Sequence, residues 1–498
     1  MDRVLPAPVF SAIHEAIQTV YSLRPIIEPT VFLVPPFIRT FLANLSETVG
    51  FDVDTLSITL GLFIAYPLGL IMNLLPFGKI RHFFSFFLGA FVLQVTIGVQ
   101  WIHHLITSVV AYLMFAVLPR TVSKHAVPVF ILVYMTAGHL HRQFVNYLGW
   151  DMDFTGSQMV LTIKLYSLAY NLYDGEYLAR GGDGRASKRC ASVALERLPG
   201  LIEYLGYTFC FSNVIGGPAY EYKYYANACD GSLLYDKNGK AKGKIPSNIM
   251  PTIIPFLCSL LNLGLFIIGN GYFPVLDPTD PQKNTPAFLS EKVLAYPWPM
   301  RYAYCWIALA FIRQKYYFAW KNAEGANNIW YAGFEGFDEK GVAKGWDIAS
   351  NMHIFGFEFA TCLKDLSAAW NKKTANWLGR YVYTRTGGSL IATYGLSAFW
   401  HGFYPGYYMF FLTVPLITAC ERLGRKKISP RFVESKLYAV ACWAVTSFTA
   451  SYGVMAFQML AFDWSWNVWK NHYFSGHILC FIFYATVSQI KTPKKKDA

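Results

Sequence analysis

The sequence predicts an all-α protein that crosses a membrane many times. Three observations carry that prediction. Of its 498 residues 54% are hydrophobic and only 15% are charged, where a soluble globular chain carries about 25% charged residues. Aromatic residues reach 17%. The apolar residues fall in long runs, without the alternation that an outer-membrane barrel requires.

Taken in order, the first candidate spans are Leu56–Phe77, Phe83–Val99, Leu105–Leu118, Ala126–Tyr147 and Ile249–Tyr272. Tyr302–Trp320, Leu390–Trp400, Tyr407–Cys420, Leu437–Phe457 and Ile478–Ile490 follow. A spanning helix needs about 20 largely apolar residues, and several of these runs are shorter or interrupted. Counting interfacial pieces, the expectation is roughly eleven transmembrane helices, with broken or re-entrant segments around a central chamber. Residues 1–54 hold Asp2, Glu15, Arg24, Glu28 and several prolines, and read as an N-terminal interfacial lead-in rather than a cleavable signal peptide.

No linker divides the chain. The polar stretches 174–199, 227–248 and 321–353 each lie between apolar segments, so 1–498 is expected to form a single membrane domain. No internal repeat is evident, which argues against a transporter built from repeated halves. From Trp150 to Phe411 polar and glycine-rich pieces break the hydropathy. Irregular backbone at membrane depth is tolerated only where it is buried or lines a cavity, so chemistry is expected there.

The net charge of +13 lies in clusters. Arg180, Arg185, Lys188 and Arg189 form one; Arg422, Arg425, Lys426, Lys427 and Arg431 another; Lys491, Lys494, Lys495 and Lys496 a third. Such clusters mark cytoplasmic segments rather than a nucleic-acid surface, and are compatible with attraction of an anionic cytosolic substrate. The tail 491–498 is therefore expected to be cytoplasmic. Its Lys495-Lys496-Asp497-Ala498 ending matches a dilysine signal for retrieval to the endoplasmic reticulum membrane, a receptor-read address. The nine cysteines are scattered singly, so neither a zinc site nor a disulfide framework is expected.

Within the broken region, "SAFWHGFYPGYYMFF" from Ser397 places an ionisable ring, His401, among aromatic residues. Intramembrane ionisable residues face a bundle interior or a cavity, and a packing histidine with both nitrogens bonded is the plain alternative. Gly402 and Gly406 permit close approach, and Pro405 is expected to break the helix. Trp400, Phe403, Tyr404 and Tyr407 would wall the ring, which suits a general base. Shortly before it, "WNKKTANWLGRYVYTR" from Trp370 offers Asn371, whose amide hydrogen-bonds a hydroxyl or oxyanion without bringing charge. Local sequence alone favours a helix N-cap for Asn371.

These two stretches together resemble the paired signatures of the membrane-bound O-acyltransferase family. "GWDMDFTGSQMVLTIKLYSLAYNLYDG" from Gly149, "FSNVIGGPAYEYKYY" from Phe211 and "RQKYYFAWKNAEGANNIWYAGF" from Arg313 resemble its lysophospholipid acyltransferase branch, in the right order over roughly residues 130–411. The resemblance implies that Asn371 and His401 are the catalytic positions, that the chamber is catalytic, and that acyl-CoA and a lysophospholipid are the substrates. It implies no metal and no cofactor, acyl-CoA being a substrate, with membrane lipids as surroundings.

The accessory residues have two readings each. Arg313 and Lys315 would hold phosphates, with Tyr316, Tyr317 and Trp320 as a stacking wall, or all five belong to an interfacial belt. Tyr220 lines a re-entrant segment or follows a plain turn. Glu324 and Asn327 are substrate contacts by resemblance only, and Trp370, Trp377, Trp400 and Tyr407 complete the expected substrate wall. The rivals are acylation of diacylglycerol, a sterol or a protein, and a lipid transporter or scramblase. "AWNKKTANW" departs from the "FYxDWWN" form of the sterol and diacylglycerol branch. Head-group preference, acyl-chain preference and oligomeric state are not written in the sequence.

Overall fold

The computed structural model describes residues 6–26, 36–149, 152–182, 188–277, 285–432 and 435–492. The pair Trp150-Asp151, the basic residue Arg185 and the dilysine tail lie outside the described residues. Among the described residues the architecture is helical, with extended pairing limited to the isolated bridges Tyr235–Ala241, Leu276–Pro286 and Phe337–Ala343.

Among the described residues, four helical stretches are long and apolar enough to cross a membrane: Val53–Leu74, Lys79–Val117, Ile249–Tyr272 and Lys436–Met459. Ile249–Tyr272 has 24 residues, about 36 Å at 1.5 Å per residue, which exceeds a hydrocarbon core of about 30 Å. It carries no charged residue. Ile253, Ile254, Leu257, Leu261 and Ile268 point outward from it, a face suited to lipid. In the stretch Lys79–Val117 the helices Lys79–Ile97 and Trp101–Val117, on which the runs expected at Phe83–Val99 and Leu105–Leu118 fall, are joined through the turn Gly98–Gln100. The runs expected at Leu390–Trp400, Tyr407–Cys420 and Ile478–Ile490 fall on the helices Leu390–His401, Pro405–Lys427 and Ser475–Ser488. Residues 1–54, expected to be an interfacial lead-in, contain the helices Ala7–Ser22 and Pro36–Val49.

The chain divides into two compact units. One comprises Met1–Leu260, Phe318–Asn351 and Gly379–Arg385; the other comprises Leu261–Tyr317, Met352–Leu378 and Thr386–Ala498. At the centre of the first unit lies the helix Thr155–Ala179, which no apolar run announces. It is buried on every face, and its polar side chains are answered from neighbouring elements. Gln158 Nε2 donates to Thr107 Oγ1 at 3.1 Å. Lys164 Nζ donates to Asn213 Oδ1 at 2.7 Å and to the Tyr207 carbonyl at 2.9 Å. Asn171 Nδ2 donates to Glu221 Oε2 at 2.8 Å. Asp174 accepts from Arg385 at 2.6 Å.

Around this helix the segments 79–97 and 201–209 meet backbone to backbone, because glycines remove the side chains between them. A Cβ at Gly89 would stand 1.5 Å from the Phe209 carbonyl oxygen, and one at Gly206 would stand 2.6 Å from that of His82. The second unit has its own core, in which Tyr302, Leu309, Met455, Met459 and Trp469 are buried together. Tyr302 stacks on Phe448 at 4.3 Å and donates to its carbonyl at 2.6 Å.

Gly89→Ala is therefore expected to destabilise the protein by about 1–3 kcal/mol, the usual range for overpacking. Gly264→Ala, on the spanning helix Ile249–Tyr272 where an added Cβ meets nothing within 4 Å, is expected to be neutral or slightly stabilising. Thermal unfolding of the two variants in one detergent checks the contrast.

Candidate active site

The helix Leu390–His401 begins with a cap and ends on its histidine. Ser389 Oγ accepts the Ala392 N–H at 3.1 Å, one of the donors left open at a helix start. The helix stops because Gly402 adopts φ +117°, a region open to glycine. The Gly402 N–H then closes onto the carbonyls of Ala398 and Phe399. Gly402, rather than Pro405, makes the break. Pro405 opens the next helix, Pro405–Lys427, at the position where a missing N–H leaves no bond unmade. The start of that helix lies against the helix Lys436–Met459: Gly406 N–H donates to Leu460 O at 2.7 Å, and a Cβ there would stand 2.2 Å from Ala456 O.

His401 is half-buried and ringed by aromatic side chains. Centroid separations are 4.8 Å to Trp400, 5.0 Å to Phe457, 5.5 Å to Tyr407 and 5.6 Å to Phe411. Phe457 arrives from a different helix, Lys436–Met459, and no local sequence pattern points to it. Phe403 and Tyr404 instead face Phe399 and Tyr407. The imidazole thus stands at a helix end, beside a wall of aromatic rings.

Asn371 immediately precedes the short helix Lys372–Leu378, and its carbonyl accepts the Ala375 N–H at 3.0 Å. Its backbone lies at φ +43°, the left-handed region that asparagine tolerates better than most residues. The residue type at this position therefore answers both to backbone conformation and to side-chain chemistry. Trp377, at the far end of the same helix, is buried and lies 6.1 Å from Trp400. The Trp377–Trp400 contact ties the helix that follows Asn371 to the helix that ends in His401.

On the other side of Asn371, Trp370 packs against Phe357 at 5.0 Å, Tyr316 at 5.7 Å and Tyr317 at 6.1 Å. Lys315 Nζ lies 5.2 Å from the Tyr316 ring centre. Arg313 is held by Glu358, its Nη2 donating to Oε2 at 2.9 Å and to Oε1 at 3.1 Å. Tyr317 OH donates to the same carboxylate at 2.6 Å, and Trp443 Nε1 donates to the Glu358 carbonyl at 2.7 Å. Arg313 and Glu358 also line a cavity with Leu309, Ser447 and Ser451. Glu358 was missed in the sequence; its one mark there is a lone acid in the apolar stretch "IFGFEFA".

The remaining expected residues belong to the other unit. Asn327 is fully buried; its Oδ1 accepts from Ser212 Oγ and from Tyr220 OH, each at 2.8 Å. Its Nδ2 donates to the carbonyls of Ala323 and Ser212. Glu324 accepts from Lys321 at 2.8 Å, and Trp320 is buried. The structure thus brings Asn371, His401 and their tryptophans into one unit, with Arg313, Lys315, Tyr316 and Tyr317 beside Trp370. Trp320, Glu324, Asn327 and Tyr220 are placed in the other.

Residues 140–462 match the family described as MBOAT, membrane-bound O-acyltransferase family. The chain is 32% identical over 432 residues to membrane-bound glycerophospholipid O-acyltransferase 2 of Rattus norvegicus, covering 84% of this chain and 80% of that one. It is 30% identical over 461 residues to membrane-bound glycerophospholipid O-acyltransferase 1 of Homo sapiens, covering 88% and 90%. Against lysophospholipid acyltransferase of Schizosaccharomyces pombe it is 30% identical over 462 residues, covering 88% and 87%.

The Glu358 cluster generates a stability prediction. Glu358→Ala leaves the Arg313 guanidinium and the Tyr317 hydroxyl without their shared acceptor, and is expected to cost about 2–3 kcal/mol. Arg313→Met combined with Glu358→Leu is expected to recover part of that loss. A double-mutant thermal-unfolding cycle that gave purely additive effects would remove Glu358 as the organiser of this cluster.

Proposed function

The chain belongs to the membrane-bound O-acyltransferase family, and from that premise we propose that it esterifies the free hydroxyl of a lysophospholipid with a fatty acyl group from acyl-CoA, in phospholipid remodelling. The observation that supports the reading most is the pairing in one unit of an aromatic-walled His401 and Asn371, with Trp377 and Trp400 between their helices.

In this reading the lysolipid oxygen attacks the thioester carbonyl carbon while His401 takes the hydroxyl proton. The new C–O bond forms, the C–S bond breaks, and the proton passes to the departing CoA sulfur. Asn371 holds the hydroxyl or the thioester oxygen through its amide. Direct attack needs no acyl-enzyme, metal or redox cofactor. Trp370, Trp377, Trp400, Tyr407, Tyr316 and Tyr317 serve as substrate walls. Lys315 contacts a phosphate together with Arg313, which keeps Glu358 as counter-ion. Trp320, Glu324, Asn327 and Tyr220 are kept as further substrate-binding residues.

The same proposal takes 1–498 as one membrane domain of roughly eleven crossings around a catalytic chamber, in the endoplasmic reticulum membrane with a cytoplasmic C-terminus. Changing Lys495 and Lys496 to serine is expected to release the protein from that membrane. An unchanged distribution on fractionation would end the dilysine reading.

The activity test is a matrix of lysolipids and acyl-CoAs on membranes expressing the chain. His401→Ala is expected to lower transfer by about 10²–10⁴-fold at matched abundance. Asn371→Gly separates backbone from side chain, because glycine accepts φ +43° without strain and removes only the amide. It is expected to fold and lose activity. Asn371→Asp caps as well as asparagine but puts a negative charge beside a developing oxyanion, and is expected to be at least as severe. Normal transfer by a stable Asn371→Gly protein would return Asn371 to a purely structural role.

A further inference from the structure

Cations from three helix ends of the second unit gather on one surface. The sequence from Glu421 to Lys436 holds six basic residues, Arg422, Arg425, Lys426, Lys427, Arg431 and Lys436, against two acids, Glu421 and Glu434. The fold adds Lys491 to them. Arg431 Nη2 donates to the Lys491 carbonyl at 2.9 Å, and Lys427 Nζ donates to the Ser488 carbonyl. The hydroxyls of Ser429 and Tyr438 lie 2.9 Å apart, and Phe432 stacks on Tyr438 at 5.4 Å. These contacts draw together the end of Pro405–Lys427, the start of Lys436–Met459 and the end of Ser475–Ser488.

Part of this charge has a structural use. Among the described residues, Arg425 alone of these cations pairs with a carboxylate, that of Glu421. Lys427 and Arg431 bond to the carbonyls of Ser488 and Lys427, the last residues of two helices, where a cation suits the helix dipole. A carbonyl satisfies a donor without cancelling its charge. The remaining cations run against helix rules. Arg422 and Lys426 are exposed four residues apart on one helix face, a like-charge row that costs stability. Lys436 is exposed at the first position of its helix, the end where a cation is unfavourable.

The neighbouring surface is apolar. Lys436 opens a helix long and apolar enough to cross a membrane, and Phe432, Leu437 and Val440 beside it are exposed. An occupant that answers both features carries negative charge directly next to hydrocarbon. We propose that Arg422, Lys426, Lys436 and Lys491 form a docking surface for the head groups of anionic phospholipids in the surrounding bilayer. Lipid head groups lie where a spanning helix leaves the hydrocarbon core, and basic side chains at that level attract anionic ones. Basic residues near a membrane also orient its spans, but that effect follows their number and does not need three helix ends to converge.

The test reads lipid preference without acyl transfer, so its outcome is separate from that of the proposed function. The full-length protein in a neutral detergent is titrated with mixed micelles carrying dansyl-labelled phosphatidylserine or dansyl-labelled phosphatidylcholine. The wild type is expected to bind the anionic lipid more tightly, by about five-fold for each cation that faces it. That preference is expected to shrink in about 1 M salt, which screens charges beyond roughly 3 Å. Arg422→Gln, Lys426→Gln and Lys436→Gln combined are expected to bring the two lipids close to equal affinity. Lys427 and Arg431 are left in place because they bond within the fold. Should the triple variant fail to accumulate, Lys436→Gln alone is expected to lower the preference by about five-fold.

A second triple variant, Lys237→Gln, Lys240→Gln and Lys340→Gln, controls for net charge. Those lysines are exposed on turns that also carry Asp236, Asp338 and Glu339, and their loss is expected to leave the lipid preference intact. Lys426→Arg with Lys436→Arg keeps the charge and is expected to keep the preference. Equal affinity of the wild type for both lipids, as a surface reserved for an acidic protein segment would give, overturns the proposal. An equal loss of preference in the two triple variants overturns it as well, because overall charge would then account for the attraction.

Discussion

In a chain of this composition a polar side chain must find its partner within the protein, because lipid supplies none. The helix Thr155–Ala179 is built on that constraint. Its Lys164, Asn171 and Asp174 are buried, and each is met by a named group on another element. Glu221 is the pivot: it accepts from Asn171, from Arg380 at 2.7 Å and from Tyr381 at 3.0 Å. The one Tyr381 O–H proton is shared between Glu221 and Asn171 Oδ1, which lies 2.5 Å away. A network closed in this way orders its members, whereas removing any one leaves a charge or dipole stranded.

The second unit meets the same constraint where its backbone is irregular. Between Met352 and Leu378 the chain forms only short helices, and such segments expose backbone donors that regular spans do not. Leu363 N–H is taken by Glu421 Oε2 at 2.7 Å, and His353 N–H by the Ala369 carbonyl at 3.0 Å. Glu358 then gathers Arg313, Tyr317 and Trp443 through its carboxylate and carbonyl. Asn371 and Trp370 stand directly after this braced stretch. The positions of both therefore depend on polar bonds that the surrounding apolar sequence makes hard to replace.

How far this was legible depended on which physical signal each element carries. Spans such as Ile249–Tyr272 were readable to the residue, because an uncharged apolar run has one stable environment. Thr155–Ala179 was not, since hydropathy counts Lys164 and Asp174 against a buried helix and cannot see Asn213 or Arg385 waiting elsewhere. The break after His401 was visible in Gly402 and Pro405, but which residue made it was decided by φ +117° at Gly402. Phe457 and Glu358 stand 56 and 43 residues from His401 along the chain (457 − 401 and 401 − 358). Contacts at that range arise from packing, and no local pattern encodes them.

The constraint also bears on what chemistry such a protein can hold. A carboxylate base within a membrane unit needs a counter-charge, and both Glu221 and Glu358 have been given arginines, Arg380 and Arg313. That pairing commits both carboxylates to holding structure. An amide and an imidazole avoid the difficulty, since each hydrogen-bonds or accepts a proton from a neutral starting state. Walls of Trp400, Tyr407, Phe411 and Phe457 supply contact area without demanding further charge. The same rule places Lys164 against Asn213 Oδ1 and the Tyr207 carbonyl: a buried charge is kept where something nearby answers it.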